Sequence, residues 1–272
     1  MNAALPHDEI EKLRAKKKPT KTDTAELAEA KQELQTLSMS KGRSMCSKCR
    51  HPLAAKDLVP LFSWLWLAGK CRYCRKPIED TPLLEAGLPI MFLVSYFAWP
   101  LGLQGYGLLA FVAWLATSVG FAALTAYDLR WYLLPDKIVW PLAVLALAQV
   151  VAHAVVFDGG WSVLLTALWG VLTCSGIFYV LHMVSDGTWI GGGDVKLGIV
   201  LGLWVGGPLQ GLLVIFAASL FGTIASVPML LQKKLGKGSV IPFGPFLMLA
   251  AVVVMLTGQR LIDWLDRLMI TV

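Results

Sequence analysis

Repeated apolar stretches of roughly 20 residues, separated by short polar breaks, limit this chain most severely, because that is the length a helix needs to cross a bilayer. They fall at 82–104, 107–127, 138–157, 161–184, 210–231 and 241–260. A shorter stretch, 195–207, is too brief for an upright span by itself. Charge is partitioned to match. Residues 1–80 hold 16 of the 24 Lys+Arg and 10 of the 18 Asp+Glu, while residues 81–272 hold eight of each sign. With 15% charged residues overall, against about 25% in a soluble domain, the chain is neither disordered nor an ordinary soluble enzyme. It reads as a basic aqueous head on a neutral, apolar body.

Positive charge also orients the body. With residues 1–81 cytoplasmic and 195–207 counted as a crossing, Arg130, Lys137, Lys196, Lys233, Lys234 and Lys237 all fall at cytoplasmic ends. The breaks near 105, 158–160 and 208 carry no Lys or Arg, so seven crossings satisfy the positive-inside rule. Arg260 and Arg267 fall outside the pattern, in a C-terminal tail beside Asp263 and Asp266. The expected fold is an all-α polytopic membrane protein of about seven helices with a small cytoplasmic head. Its divisions are a polar basic arm (1–43), the head (44–81), a membrane domain (82–260) and the tail (261–272).

The arm has no apolar core of the kind a cleavable signal peptide needs, so the first span is expected to direct insertion. Leu27, Ala30, Leu34 and Leu37 recur at helical spacing after a cap at Asp23. The plainer reading is a solvated arm drawn to anionic lipid by Lys16-Lys17-Lys18.

In the head, Cys46-x2-Cys49 and Cys71-x2-Cys74 are separated by 21 residues. Two such pairs can close a tetrahedral Zn2+ shell, and nearby Lys48, Arg50, Lys70, Arg72 and Arg75 offset the thiolate charge. Four ligands leave no open position, so this metal is expected to be structural, stapling a head too small to fold on its core alone. His51 is a bystander in this reading. Disulfides are disfavoured in the cytoplasm. Cys174, within an apolar span, is a small packing residue.

Chemistry must then come from the few acids of the body, where ionisable groups are expensive. Asp158 lies in a turn on the external side, and Asp186 reads as a turn acid. Asp136 follows Pro135 and by default caps the next helix. Asp128 directly continues an apolar span at its C-terminal end, where the helix dipole disfavours an acid. Asp194 follows Gly191-Gly192-Gly193, whose small size lets a substrate backbone approach closely. Two carboxylates converging at the cytoplasmic face suggest an aspartyl dyad, with one member ionised to activate water and the other protonated to hold the scissile carbonyl.

These residues resemble the prepilin peptidases, or type IV leader peptidases, which are membrane aspartyl proteases of the GxGD group. The resemblance covers about residues 44–250. It rests on the two Cys pairs with Leu61-Phe62-Ser63-Trp64-Leu65 and Gly69-Lys70-Cys71-Arg72, and on the segment from Asp128 through Pro135-Asp136. Gly191-Gly192-Gly193-Asp194-Val195-Lys196-Leu197 and Ile241-Pro242-Phe243-Gly244-Pro245-Phe246 complete it. It implies Asp128 and Asp194 as the catalytic aspartates. Beside them, the small size of Gly191, Gly192 and Gly193 marks them as substrate-binding, and Lys196 is placed to favour an ionised carboxylate or bind the leader-side backbone, with snorkelling to the interface as its plainer role. The resemblance also implies a type IV prepilin or type II secretion pseudopilin as substrate, cut between a basic leader and an apolar helix in the bacterial cytoplasmic membrane. The expected partners are that substrate and the lipid bilayer, with no nucleic acid.

Family members usually carry a further span before the cysteine head, where this chain has its polar arm. Many also N-methylate the new N-terminus, an activity associated with that region, so S-adenosylmethionine is a cofactor only where methylation is retained. Tyr127-Asp128 with the glycine-aspartate motif is also similar to presenilin-like proteases, although the cysteine head and Ile241–Pro245 argue against that branch. A transporter or metal-binding scaffold is the alternative from another class.

Overall fold

The computed structural model describes residues 44–270 except 47, 60, 79–82 and 232–240. The arm, its expected helix and Lys233, Lys234 and Lys237 lie outside the described residues. Two compact units divide the chain, Met1–Glu85 and Ala86–Val272.

In the first unit, each cysteine pair forms the same tight loop. The Cys46 amide donates to His51 O and the Arg50 amide to Cys46 O; likewise the Cys71 amide donates to Lys76 O and the Arg75 amide to Cys71 O. Arg50 and Arg75 both take φ 55°, and each loop closes on a one-residue bridge, Met45 to Pro52 and Lys70 to Pro77. The chain folds this way because Cys-x-x-Cys-Arg-x-Pro occurs twice. Between the loops run a 3-10 turn, Ala55–Asp57, and a short helix α1, Phe62–Trp66.

Asp57 ties the turn to the second loop. Its carboxylate accepts from Arg72 Nε at 2.6 Å, from Tyr73 Oη at 3.4 Å and from the Ala54 amide at 3.3 Å. The guanidinium of Arg72 holds the Asp57 carboxyl below the usual carboxylate range. Tyr73 in turn stacks on His51 of the first loop, with ring centroids 3.8 Å apart. On α1, Trp64 faces inward, its ring closely approached by Gly69.

The remaining helices are α2 (Leu83–Ala98), α3 (Tyr106–Trp131), α4 (Asp136–Val156), α5 (Gly160–Val184), α6 (Gly192–Val205), α7 (Pro208–Leu231) and α8 (Gly244–Ile270). Seven apolar helices thus form where seven crossings are expected, but five of them, α3, α4, α5, α7 and α8, are long and apolar enough to cross a membrane. Helix α6 has 14 residues, which at 1.5 Å per residue is about 21 Å, short of a ~30 Å hydrocarbon core. The apolar part of α2 is also short, Glu85–Ala98. Helix α8 continues to Ile270, through the stretch expected to be a tail.

The short α6 is the centre of the body. It packs against α4, α5, α7 and α8, and Leu197, Val200 and Leu201 on it are fully buried. Its contact with α5 is made by backbone. A methyl group added at Gly202 would strike the Gly170 carbonyl, and one at Gly198 would lie 2.9 Å from Ser175 Cα. Ser175 Oγ donates to the Val195 carbonyl at 2.8 Å across the same seam. Small residues allow this approach, which replaces the hydrophobic drive that lipid does not supply between helices. Two tryptophan N–H groups are also spent internally, Trp114 Nε1 on Ser95 Oγ at 3.0 Å and Trp99 Nε1 on Gly107 O at 3.1 Å.

Candidate active site

The packing of α6 delivers its N-terminal turn, and Asp194 with it, to the end of α3 that carries Asp128. A cavity of about 650 Å3 opens there, lined by Asp128, the segment Tyr132–Lys137, Gly191, Gly192, Gly193, Asp194 and Lys196. The expected catalytic and substrate-binding residues are therefore brought to one place. Asp128 and Asp194 are close enough for the charge of one to act on the other.

Local structure explains how each carboxylate is held. Gly191 begins α6 as its cap residue, and the Asp194 amide donates to the Gly191 carbonyl at 3.1 Å. Asp194 thus stands three residues beyond the cap, in the first turn, where the helix dipole favours an acid. Asp128 is 6% exposed in the last turn of α3, which ends at Tyr132 in the left-handed conformation, φ 54°.

The offset for placing an acid at that helix end comes from α8. Gly244, at the start of α8, brings its backbone against the Asp128 carboxylate. A helix N-terminus offers both unpaired N–H groups and a favourable dipole to an anion. Gly244 has no room for a side chain, since a methyl there would lie 2.5 Å from Asp128 Oδ2. Leu134, 8% exposed, fills the space between the two acids' supports: it lies 3.2 Å from a methyl built at Gly193 and 3.5 Å from one built at Gly244. Neither Gly244 nor Leu134 is assigned a role by the sequence reading, although Ile241–Phe246 stands out as a motif.

One expectation is corrected and another holds. Asp136 is not the cap of α4, because Pro135 holds that position. Its carboxylate instead receives Lys196 Nζ at 2.7 and 2.9 Å, so Lys196 lines the cavity with its charge paired to a residue 60 positions earlier. Asp186 occupies the α5–α6 turn at φ 47° and is not among the cavity residues.

In the head, the four sulfurs of Cys46, Cys49, Cys71 and Cys74 lie within 4.8 Å of one another, with Cys46 Sγ and Cys74 Sγ 3.9 Å apart. A tetrahedral thiolate shell with metal–sulfur bonds of ~2.3 Å has edges of ~3.8 Å, so the cluster can hold a metal ion. The backbone amides of Cys49 and Lys48 bring the Cys46 thiol down to about 6, while burial and the neighbouring Cys46, Cys74 and Cys71 sulfurs push the Cys49 thiol up to about 11, as expected of thiols crowded into one cluster. His51, occupied against Tyr73, is outside the ligand cluster.

Fold and comparisons together define a multi-pass, helical membrane peptidase. Residues 114–227 match the Type IV leader peptidase family and residues 12–99 match the Bacterial Peptidase A24 N-terminal domain. The chain belongs to the type IV leader peptidase family. It is 34% identical over 224 residues to a prepilin leader peptidase/N-methyltransferase of Aeromonas hydrophila, covering 82% of this chain and 74% of the relative. Its identity to the protein so named from Pseudomonas aeruginosa is 33% over 220 residues, 80% of this chain and 72% of the relative. The corresponding figures for Xanthomonas campestris pv. campestris are 34% over 207 residues, 75% and 69%. No solved structure matches the chain.

Proposed function

We propose that this chain is an aspartic-type endopeptidase in which Asp128 and Asp194 remove the basic leader from a type IV prepilin or type II secretion pseudopilin at the cytoplasmic membrane face. The observation that carries the reading is that these two carboxylates line one cavity, while the third acid there, Asp136, is engaged by Lys196. Like charges so close disfavour double ionisation, so the pair shares a proton and titrates as a unit. The ionised member takes a proton from water as that water attacks the scissile carbonyl; the protonated member donates a hydrogen bond to the carbonyl oxygen and then passes its proton to the leaving amine. The Gly191–Gly193 backbone, free of side chains, offers amide and carbonyl groups to an extended substrate strand beside Asp194.

Lys196, paired to Asp136, orients the mouth of the cavity. An orientation with the head and cavity cytoplasmic agrees with the charge distribution along the chain. Zn2+ fits the four-thiol cluster, held by Cys46, Cys49, Cys71 and Cys74, and its role there is to staple the head. S-adenosylmethionine enters only if methylation accompanies cleavage. The head's own cavity, about 260 Å3, is smaller than the ~300–1,000 Å3 usual for small-molecule sites.

Coexpression with a prepilin from the same genome, read by intact mass, tests the reading. Wild type removes the leader, whereas Asp128→Asn and Asp194→Asn leave it in place while still inserting in the membrane. Cleavage by either variant at the wild-type rate would refute the dyad.

A further inference from the structure

We propose that the outer face of α1 in the cysteine head is a membrane-docking surface that inserts into a bilayer of anionic phospholipid. This inference is independent of the catalytic assignment. It starts from an inversion in a very small unit: Trp64 supplies the inward contact of α1, and the residues on the opposite face are large and apolar. Phe62 is 75% exposed, Leu65 68% and Trp66 85%. Positions 62, 65 and 66 share one side of a helical turn, so the three side chains form a single patch. Leu58 and Val59, just ahead of α1, are exposed as well. Aromatic and aliphatic side chains gathered this way, with tryptophan foremost, suit the headgroup boundary of a bilayer.

Charge selects the partner. Residues 44–81 contain seven Lys or Arg and three acids, Asp57, Glu79 and Asp80. A divalent metal with four thiolates subtracts two charges and leaves the head with a net charge of about +2. Such a surface is attracted to anionic headgroups and repels a basic leader peptide, so lipid is favoured over substrate as the occupant.

Position supports the same conclusion. The Leu61 amide, immediately before α1, donates to Glu85 Oε2 at 3.0 Å, and Glu85 lies in the first turn of the apolar helix α2. The aromatic patch is therefore anchored at the point where the chain passes from the polar head into apolar helix. That is where a membrane surface lies. The head thus acts as a plug seated in the interface, with its metal cluster holding α1 in the inserting orientation.

Photocrosslinking of the full chain tests this. A benzophenone amino acid is placed at Phe62, at Trp66 and, as a reference, at exposed Lys76, and each variant is reconstituted into vesicles of phosphatidylcholine with or without phosphatidylglycerol. Adducts are identified by mass. Phospholipid adducts at 62 and 66 several-fold above those at 76, increasing when phosphatidylglycerol is included, are expected. Adducts at 62 and 66 to protein alone, whether to residues 1–43, to a second copy or to an added prepilin, would overturn the proposal. So would lipid labelling no higher than at Lys76, or labelling indifferent to phosphatidylglycerol. Retention of each variant as a monodisperse species in detergent shows that the substitutions leave the fold intact.

Discussion

Replacing Gly244 with alanine is the sharpest test of how α8 supports the cavity. The added methyl would lie 2.5 Å from Asp128 Oδ2 and 3.5 Å from Leu134 Cδ2, while an ordinary carbon–oxygen contact needs about 3.3–3.6 Å. Asp128 must therefore move by about 1 Å, or α8 must withdraw its backbone from the carboxylate. Misplacement of a reacting group by ~1 Å costs about 10²-fold in rate, equivalent to about 2.7 kcal/mol of activation free energy. Stability should respond less, because Gly244 is the first residue of α8 and the clash falls on the end of one side chain, which can move without unpacking the helix. The variant is expected to keep its thermal midpoint and lose about 10²-fold in kcat for prepilin cleavage, measured by mass spectrometry on purified, reconstituted protein. A variant that cleaves at the wild-type rate would refute the claim that Gly244 sets the position of Asp128. One that loses activity only in proportion to unfolding would refute it as well.

Three further outcomes follow from the packing and the head. Gly202→Ala forces a methyl against the Gly170 backbone, so overpacking should lower stability by about 1–3 kcal/mol, visible as an earlier thermal transition; an unchanged midpoint would mean that α5 and α6 separate freely. Cys71→Ser removes a buried thiol from the cluster and should abolish the one bound metal per chain found by elemental analysis, with faster proteolysis within 44–78; full metal content in the variant would show that the cluster is not the site. Asp57 has its carboxyl lowered by Arg72, so its contribution to the head is complete above the unfolded value near pH 4 and is lost as pH falls through the folded value. Hydrogen exchange at 54–73 should accordingly rise at strongly acidic pH in wild type, and Asp57→Asn should show that raised exchange already at neutral pH. Equal protection in both proteins at pH 7 would contradict this.

Much of the molecule is written locally. Apolar runs of membrane length report helices because each residue's transfer to lipid is favourable regardless of its neighbours in space, and α3, α4, α5 and α7 appear within a few residues of where hydropathy puts them. Two Cys-x-x-Cys pairs imply a metal-sized cluster because each pair is a single turn of chain. The acids of interest are conspicuous because the apolar body contains so few of them, and the Gly191–Asp194 run marks a helix start by composition. Only tertiary structure decided the rest, since it depends on which distant segments meet. Hydropathy counts α6 as a candidate crossing, yet four neighbouring helices enclose it, so it can be shorter than the bilayer core. Lys196 meets Asp136 across 60 residues of sequence, which changes Asp136 from a helix cap into an ion-pair partner. The Gly244 backbone reaches Asp128 from a helix more than 100 residues later, and Leu134 packs between Gly193 and Gly244, the neighbours of the two carboxylates. Composition and spacing identify groups that are costly to bury; the direction from which a helix start or a partner charge arrives to offset that cost is a property of helix packing, and no local pattern encodes it.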